Sequence, residues 1–224
     1  MFRSITDKLK AIKQSYSLSR KRKIFCIGRN KTGTTSMAEF FRLSGLIVAP
    51  QTPAELLIDD WKINRFDRIC NFVKYHGEVF QDIPFSLPGT YKELDKNFPG
   101  SKYILTVRDN PEQWYNSLLN FHSRLLADGR IPTRADLMNS TYNGKGWLWK
   151  TNRYIYNTPE DDVYHKETLL KHYTDYNNDV IEYFRDDPSK LLVINLNDSE
   201  ASAKISNFIG MRTPIENMPW ENKT

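Results

Sequence analysis

Nine residues, Gly28-Arg29-Asn30-Lys31-Thr32-Gly33-Thr34-Thr35-Ser36, carry the chain's most concentrated chemical potential. They lie between Lys23–Ile27, a short apolar run that predicts a buried strand, and Thr34–Ser44, whose apolar spacing predicts a helix. A glycine-containing turn at a helix N-terminus aims several unpaired backbone N–H groups in one direction, and the helix dipole adds about half a positive charge there. Lys31 adds a whole charge, and Thr34, Thr35 and Ser36 add hydroxyl donors. Capping a helix needs one hydroxyl. A loop with several points to a bound phosphate or sulfate.

Two further groups leave predicted strands in the same way. Lys102–Val107, the clearest strand in the sequence, runs into Arg108, and Asn110-Pro111 then reads as an N-cap followed by proline at the first helical position. An arginine fork binds phosphate bidentately, and Ser117, two turns into that helix, can point back toward it. On their own the pair reads equally as an arginine beside an acid and a surface serine. Glu78–Ile83 reads as another strand, and Phe80-Gln81-Asp82-Ile83-Pro84 ends it with a carboxylate. Asp82 suits either a general base or a cap on the next turn. Of the four histidines, His76, His122, His165 and His172, only His76 is near that strand, and it falls in the preceding turn.

The elements that must position these groups alternate strand with helix. Met37, Phe40, Phe41 and Leu43 are the core contacts expected of Thr34–Ser44, with Gly45 as its stop. Residues 53–74 read as helical, Tyr91–Asn97 as a helix closed by Pro99-Gly100, and 111–127 as the helix opened by Asn110-Pro111. Residues 128–158, with Gly129, Pro132, Gly144 and Gly146, form an irregular or short-helical excursion. Thr158-Pro159 opens a helix with Val163, Leu170, Tyr173, Val180, Ile181 and Phe184 on one stripe; Leu191–Leu196 is a last strand and Ala201–Ile209 a last helix, stopped by Gly210. Such alternation implies right-handed crossovers and a three-layer α/β/α domain around a central parallel sheet. Ligands in such sheets collect at the carboxyl ends of the strands, where Gly28, Asp82 and Arg108 all fall.

The loop is not a Walker A motif. The spacing Gly28-x4-Gly33 is kept, but Thr34 follows the glycine, and the lysine sits two residues before Gly33 instead of one after it. Lys31-Thr-Gly-Thr-Thr-Ser36 resembles instead the 5′-phosphosulfate loop of sulfotransferases that use 3′-phosphoadenosine 5′-phosphosulfate (PAPS), in particular small bacterial-type members. The resemblance implies a P-loop-like α/β fold in which Lys31, Thr32, Gly33, Thr34, Thr35 and Ser36 hold the 5′-phosphosulfate and Lys31 stabilises charge on the bridging oxygen. Val107 to Ser117 resembles the family's second element, which implies that Arg108 and Ser117 bind the 3′-phosphate; eight residues separate the two here, where the family commonly has seven. Asp82 falls where many members carry a catalytic histidine and others an acid, and so becomes the general base. The product would be adenosine 3′,5′-bisphosphate, with no metal required.

The same resemblance makes 128–158 the acceptor side. Within it Gly144-Lys145-Gly146-Trp147-Leu148-Trp149-Lys150 mixes aromatic and basic groups that suit a sugar or an anionic acceptor, or else two core tryptophans. The chain end, Pro219 to Thr224, resembles that of small bacterial members, with Lys223 within reach of the cofactor phosphates. The acceptor class stays open, with a carbohydrate or other hydroxyl compound favoured.

Composition bounds the alternatives. The 224 residues suit a basic, helical N-terminal segment over 1–22 and a single domain over 23–224, and 39% apolar content is that of a globular chain. The net charge of +5 is misleading: residues 1–23 hold eight cations against Asp7, so the remainder sums to −2 and offers no nucleic-acid-binding face. Ile5, Leu9 and Ile12 fall at helical spacing, so this segment packs on the domain edge or touches a membrane surface peripherally. No apolar run reaches membrane-spanning or signal-peptide length. Cys26 and Cys70 are too few for a disulfide framework, which makes a cytoplasmic setting the default. Two other functions compete: a P-loop nucleotide kinase or NTPase, and a non-catalytic PAPS-binding protein of the same fold.

Overall fold

The computed structural model describes residues 13–211 and 218–219. Four strands, β1 (Ile24–Cys26), β2 (Val79–Gln81), β3 (Lys102–Val107) and β4 (Leu191–Asn195), pair in the order β2-β1-β3-β4, and every pairing is parallel. Residues 13–19 are helical (α1). The other helices are α2 (Thr34–Leu43), α3 (Gln51–Glu55), α4 (Ile58–Lys62), α5 (Phe66–His76), α6 (Thr90–Asn97), α7 (Pro111–Leu126), α8 (Arg134–Asn139), α9 (Trp147–Ile155), α10 (Lys166–Tyr183) and α11 (Ala201–Ile209).

Period-two alternation along the strands builds the layers. Phe25 and Ile27, Phe80, Tyr103 and Leu105 turn to one face, where α5, α6 and α10 contribute Ile69, Leu94 and Val180. Ile24 and Cys26, Val79, Ile104 and Ile194 turn to the other, against Met37, Phe40 and Phe41 of α2 and Ile205 of α11. The result is the three-layer α/β/α architecture that the sequence predicts. A third cluster, with Trp114, Leu118, Leu137, Leu169 and Tyr173, joins α7, α8 and α10 beyond the strand ends. At the N-terminal side, Lys23 is buried and donates to the carbonyls of Leu18 and Gly77, both at 2.8 Å, so α1 is fastened to the sheet.

Several expectations need correction. Residues 53–74 form parts of three helices: Asn64 takes a left-handed conformation (φ 58°), and the chain re-aims before α5. Leu43 is 62% exposed and is no core contact, because the inward face of α2 ends at Phe40 and Phe41. Pro159 opens no helix. Asn152 Nδ2 (3.1 Å) and Thr158 Oγ1 (3.2 Å) both bond the Val163 carbonyl, so 158–163 folds back on α9 and α10 begins at Lys166. Its buried stripe is Leu169, Tyr173, Tyr176 and Val180, while Ile181 is exposed. Ile5, Leu9, Ile12 and Lys223 lie outside the described residues.

Candidate active site

β1 and β3 are hydrogen-bonded neighbours, yet the chain leaves β1 for β2 on one side and reaches β3 on the other. That reversal opens a crevice at their carboxyl ends. The loop after β1 sits in it only because residue 28 is glycine: a Cβ there would lie 2.0 Å from Thr106 Oγ1, 2.6 Å from Thr106 O and 2.8 Å from Thr106 N. Thr32 fastens the loop from beneath. Its Oγ1 lies 2.6 Å from both the Arg29 carbonyl and Thr106 Oγ1, and its N–H donates to Arg29 O at 3.2 Å. Thr32, expected to meet an anion, is therefore turned into the fold and shapes the loop.

The remaining loop residues line a cleft of about 340 Å³ together with Asp82 and Arg108. Gly33 is left-handed (φ 99°) and precedes α2, whose first intrahelical bond runs from Met37 N–H to Gly33 O at 3.0 Å; as the N-cap it offers no side-chain cap among the described residues. Lys31 is also left-handed (φ 67°). Arg108 Nε donates to the Lys31 carbonyl at 2.8 Å, Tyr173 Oη accepts from Arg108 N–H at 2.9 Å, and Trp114 Nε1 donates to Asn30 O at 2.9 Å. The two cationic groups predicted from separate motifs thus meet at one place. Lys31 Nζ lies 3.7 Å from the centre of the Phe121 ring. Burial lowers its pKa, Arg108 and Arg124 lower it further, and Asp82 partly opposes them. Ser117 is buried on α7 between Trp114 and Phe121 in helical spacing, so it shares the face that touches the loop. Its Oγ has no partner among the described residues.

Asp82 stands at the end of β2 in a left-handed conformation (φ 57°), which aspartate tolerates. Its Oδ1 accepts from Ile83 N–H at 3.0 Å. Burial pushes its pKa up to about 6, with the Glu55 carboxylate adding to the rise; Arg29 and hydrogen bonds from Ile83 and Thr34 hold it back.

Three residues of this site were not legible as functional. Arg29 is buried, donates to Ser86 O (2.5 Å) and Tyr156 Oη (3.0 Å), and so ties the loop after β1 to the turn that carries Asp82. Glu55, only 5% exposed, accepts from Tyr142 Oη at 2.9 Å on both oxygens and from Gln51 Nε2 at 2.9 Å. His122 lines the cleft with Nδ1 2.7 Å from Tyr164 Oη; burial and then Lys31 push its pKa down to about 4, so the ring is neutral at pH 7. The four-residue steps from Trp114 through Leu118 to His122 were the available signal that this histidine faces inward.

The cleft therefore holds an uncapped helix end and fixed cations at one side and a carboxylate of elevated pKa beside them. That arrangement can bind an oxyanion, offset charge on a departing oxygen and accept a proton. Among the described residues no group of three or more His, Cys, Asp and Glu side chains is disposed to hold a metal, and no helix is long and apolar enough to cross a membrane. No curated relative matches the chain. A family model described as the sulfotransferase domain matches residues 23–224, a span that takes in all four strands and every group of the cleft. By that match the chain belongs to the sulfotransferase family, whose reaction is sulfuryl transfer.

Proposed function

We propose that the protein moves the sulfuryl group of PAPS to a hydroxyl or amine acceptor by in-line displacement at sulfur, and releases adenosine 3′,5′-bisphosphate. The observation that supports this reading is the Arg108 Nε to Lys31 O bond, which brings the arginine after β3 against the backbone of the loop that carries Lys31. The residues fit a nucleotide with two separated anionic ends. Among the described residues Gly33 provides α2 with no side-chain cap, and Ser117 Oγ, which does not itself line the cleft, is buried without a partner.

PAPS supplies an activated sulfuryl group, and the chain supplies the rest. The start of α2, from Gly33 through Ser36, receives the 5′ end with Lys31, while Arg108 and Ser117 receive the 3′-phosphate. As the acceptor oxygen bonds to sulfur, the bond from sulfur to the bridging oxygen breaks, and Lys31 offsets the charge left on that oxygen. The acceptor's proton becomes acidic at the same time and passes to Asp82, whose pKa near 6 makes it a better base than an ordinary aspartate. The free thiols of Cys26 and Cys70 suit a reducing, cytoplasmic setting.

Calorimetry with adenosine 3′,5′-bisphosphate, ADP and ATP, each with and without magnesium, tests the donor. The bisphosphate should bind most tightly and without the metal, and Arg108→Ala should weaken it by about tenfold or more, the scale of a lost charged hydrogen bond. Tighter, magnesium-dependent ATP binding would establish a kinase or NTPase instead.

A further inference from the structure

Beyond Asp82 the cleft continues past the groups assigned above to the donor. There α9 carries Trp147 and Thr151, one helical turn apart, 6% and 8% exposed, and both line the cleft. Neither Trp147 Nε1 nor Thr151 Oγ1 has a hydrogen-bond partner among the described residues, and the same is true of Gln81 Oε1, which also lines the cleft. Trp147 belongs to this end of the site: it shares an apolar cluster with Ile58, Leu87 and Ile83, the residue after Asp82. Its ring centre is 5.5 Å from that of Tyr142, whose hydroxyl donates to Glu55. Glu55 has no ion-pair partner among the described residues.

Buried polar atoms are almost always paired; among the described residues Arg29 Nε and Asn30 Oδ1 are unpaired at the loop end of the same cleft, and the three orphans beyond Asp82 call for a ligand of their own that pairs them. Their chemistry restricts which. An indole N–H only donates, an amide oxygen and carboxylates only accept, and a threonine hydroxyl does both. An ammonium group only donates and leaves Trp147 unpaired. A carboxylate or phosphate only accepts, and it would meet the charges of Glu55 and Asp82. One phenolic hydroxyl is too few. Several hydroxyls on one frame both accept and donate, and they satisfy the whole set.

We infer that Trp147, Thr151, Gln81 and Glu55 form an acceptor subsite for a neutral polyhydroxylated group, such as a sugar ring, with one hydroxyl presented to Asp82. This rests on the proposed reaction for its meaning but not for its test. Binding of methyl glycosides of glucose, galactose and mannose, and of methyl glucuronide, is measured by calorimetry with and without adenosine 3′,5′-bisphosphate. At least one neutral glycoside should bind, about tenfold or more tighter than the glucuronide. Trp147→Phe and Thr151→Val should each weaken it about three- to tenfold, while bisphosphate affinity and melting temperature stay close to those of the parent.

Equal or tighter glucuronide binding, or glycoside affinity untouched by both variants, overturns the subsite. So does bisphosphate binding with no neutral glycoside bound. Glycoside binding without bisphosphate binding instead removes the donor and leaves the subsite standing; if neither binds, both fail. The valine variant decides should the phenylalanine one not fold.

Discussion

Lys31 holds a left-handed backbone that a long side chain adopts at a cost of about 1–2 kcal/mol, and the other non-glycine residues described in that region are asparagines and aspartates, which tolerate it. The Arg108 bond to its carbonyl helps to impose this conformation, and strain of this kind gathers where function needs one geometry. Two substitutions separate the roles. Lys31→Ala and Lys31→Gly should both lose about a hundredfold or more in turnover, yet the glycine variant should be about 1 kcal/mol more stable than the alanine one in urea melts. Equal stability would mean that the loop is unstrained. Asp82 offers a second separation. Its folded pKa near 6 exceeds the ordinary aspartate value, so the folded state binds the proton more tightly and stability falls as pH rises from about 4 through 6. Asp82→Asn should therefore lose about a hundredfold or more in turnover but gain on the order of 2–3 kcal/mol above pH 7, with no gain below about pH 4. An unchanged acidic limb of the pH–rate profile near 6 would remove it as the base. Asp82 and Arg108 were legible because each follows a strand directly, and Lys31 because it stands in the glycine-containing turn between β1 and α2. Arg29, Glu55 and His122 were not, because their partners Ser86, Tyr142 and Tyr164 stand 57, 87 and 42 positions away in the chain.

At the scale of elements, β1 and β3 approach as closely as they do because Gly28 lacks a side chain. Gly28→Ala would drive a methyl into Thr106 Oγ1 and also into that residue's backbone, which a rotamer change cannot relieve. We expect a loss of about 3 kcal/mol or more, or no soluble protein, read from urea midpoints. The companion variant Thr106→Ala in the Gly28→Ala background should recover only a small part, since the backbone contacts remain. The helices with strong local stops were read well. After α2, Gly45 N–H bonds Arg42 O at 2.9 Å and Leu46 N–H bonds Phe41 O at 3.0 Å, the Schellman pattern that a glycine stop announces. Asn110 caps α7 through Gln113 N–H at 2.8 Å, as its place before Pro111 suggests. The breaks within 53–74 carry no glycine, and only the backbone at Asn64 shows why the helix turns there. The fold-back of 158–163 depends on Asn152, a residue of the preceding helix, so Thr158-Pro159 could not be read alone.

Across the molecule, two half-buried histidines set the response to acid. His122 and His172 have pKa values pushed down to about 4 and about 3, each by burial first, then by Lys31 and Arg29 respectively. Both titrate near 6.5 once unfolded, so the unfolded chain takes up protons first and stability falls as pH drops below 6.5. The opposite contribution of Asp82 is smaller than theirs combined, and the fold should lose several kcal/mol between pH 7 and pH 4. Chemical denaturation over that range measures the loss. His172→Phe, which keeps the edge contact with Tyr156 (ring centres 4.8 Å apart), should remove most of the net loss, because the contribution left from His122 is nearly offset by Asp82, and an unchanged slope would exclude the histidine.

The adjacency of β1 and β3 bears on which nucleotides such a crevice admits. Ile27 N–H bonds Ile104 O at 2.8 Å just before the two loops diverge, so the bases of both loops are anchored to one rigid rung. The groups proposed above to hold the two anionic ends are carried on these loops, and they open to a single width, like the jaws of a fixed caliper. On the donor proposed above, isomers of identical charge are sorted by the distance between their anionic ends, and adding charge to a molecule of the wrong span gains it nothing.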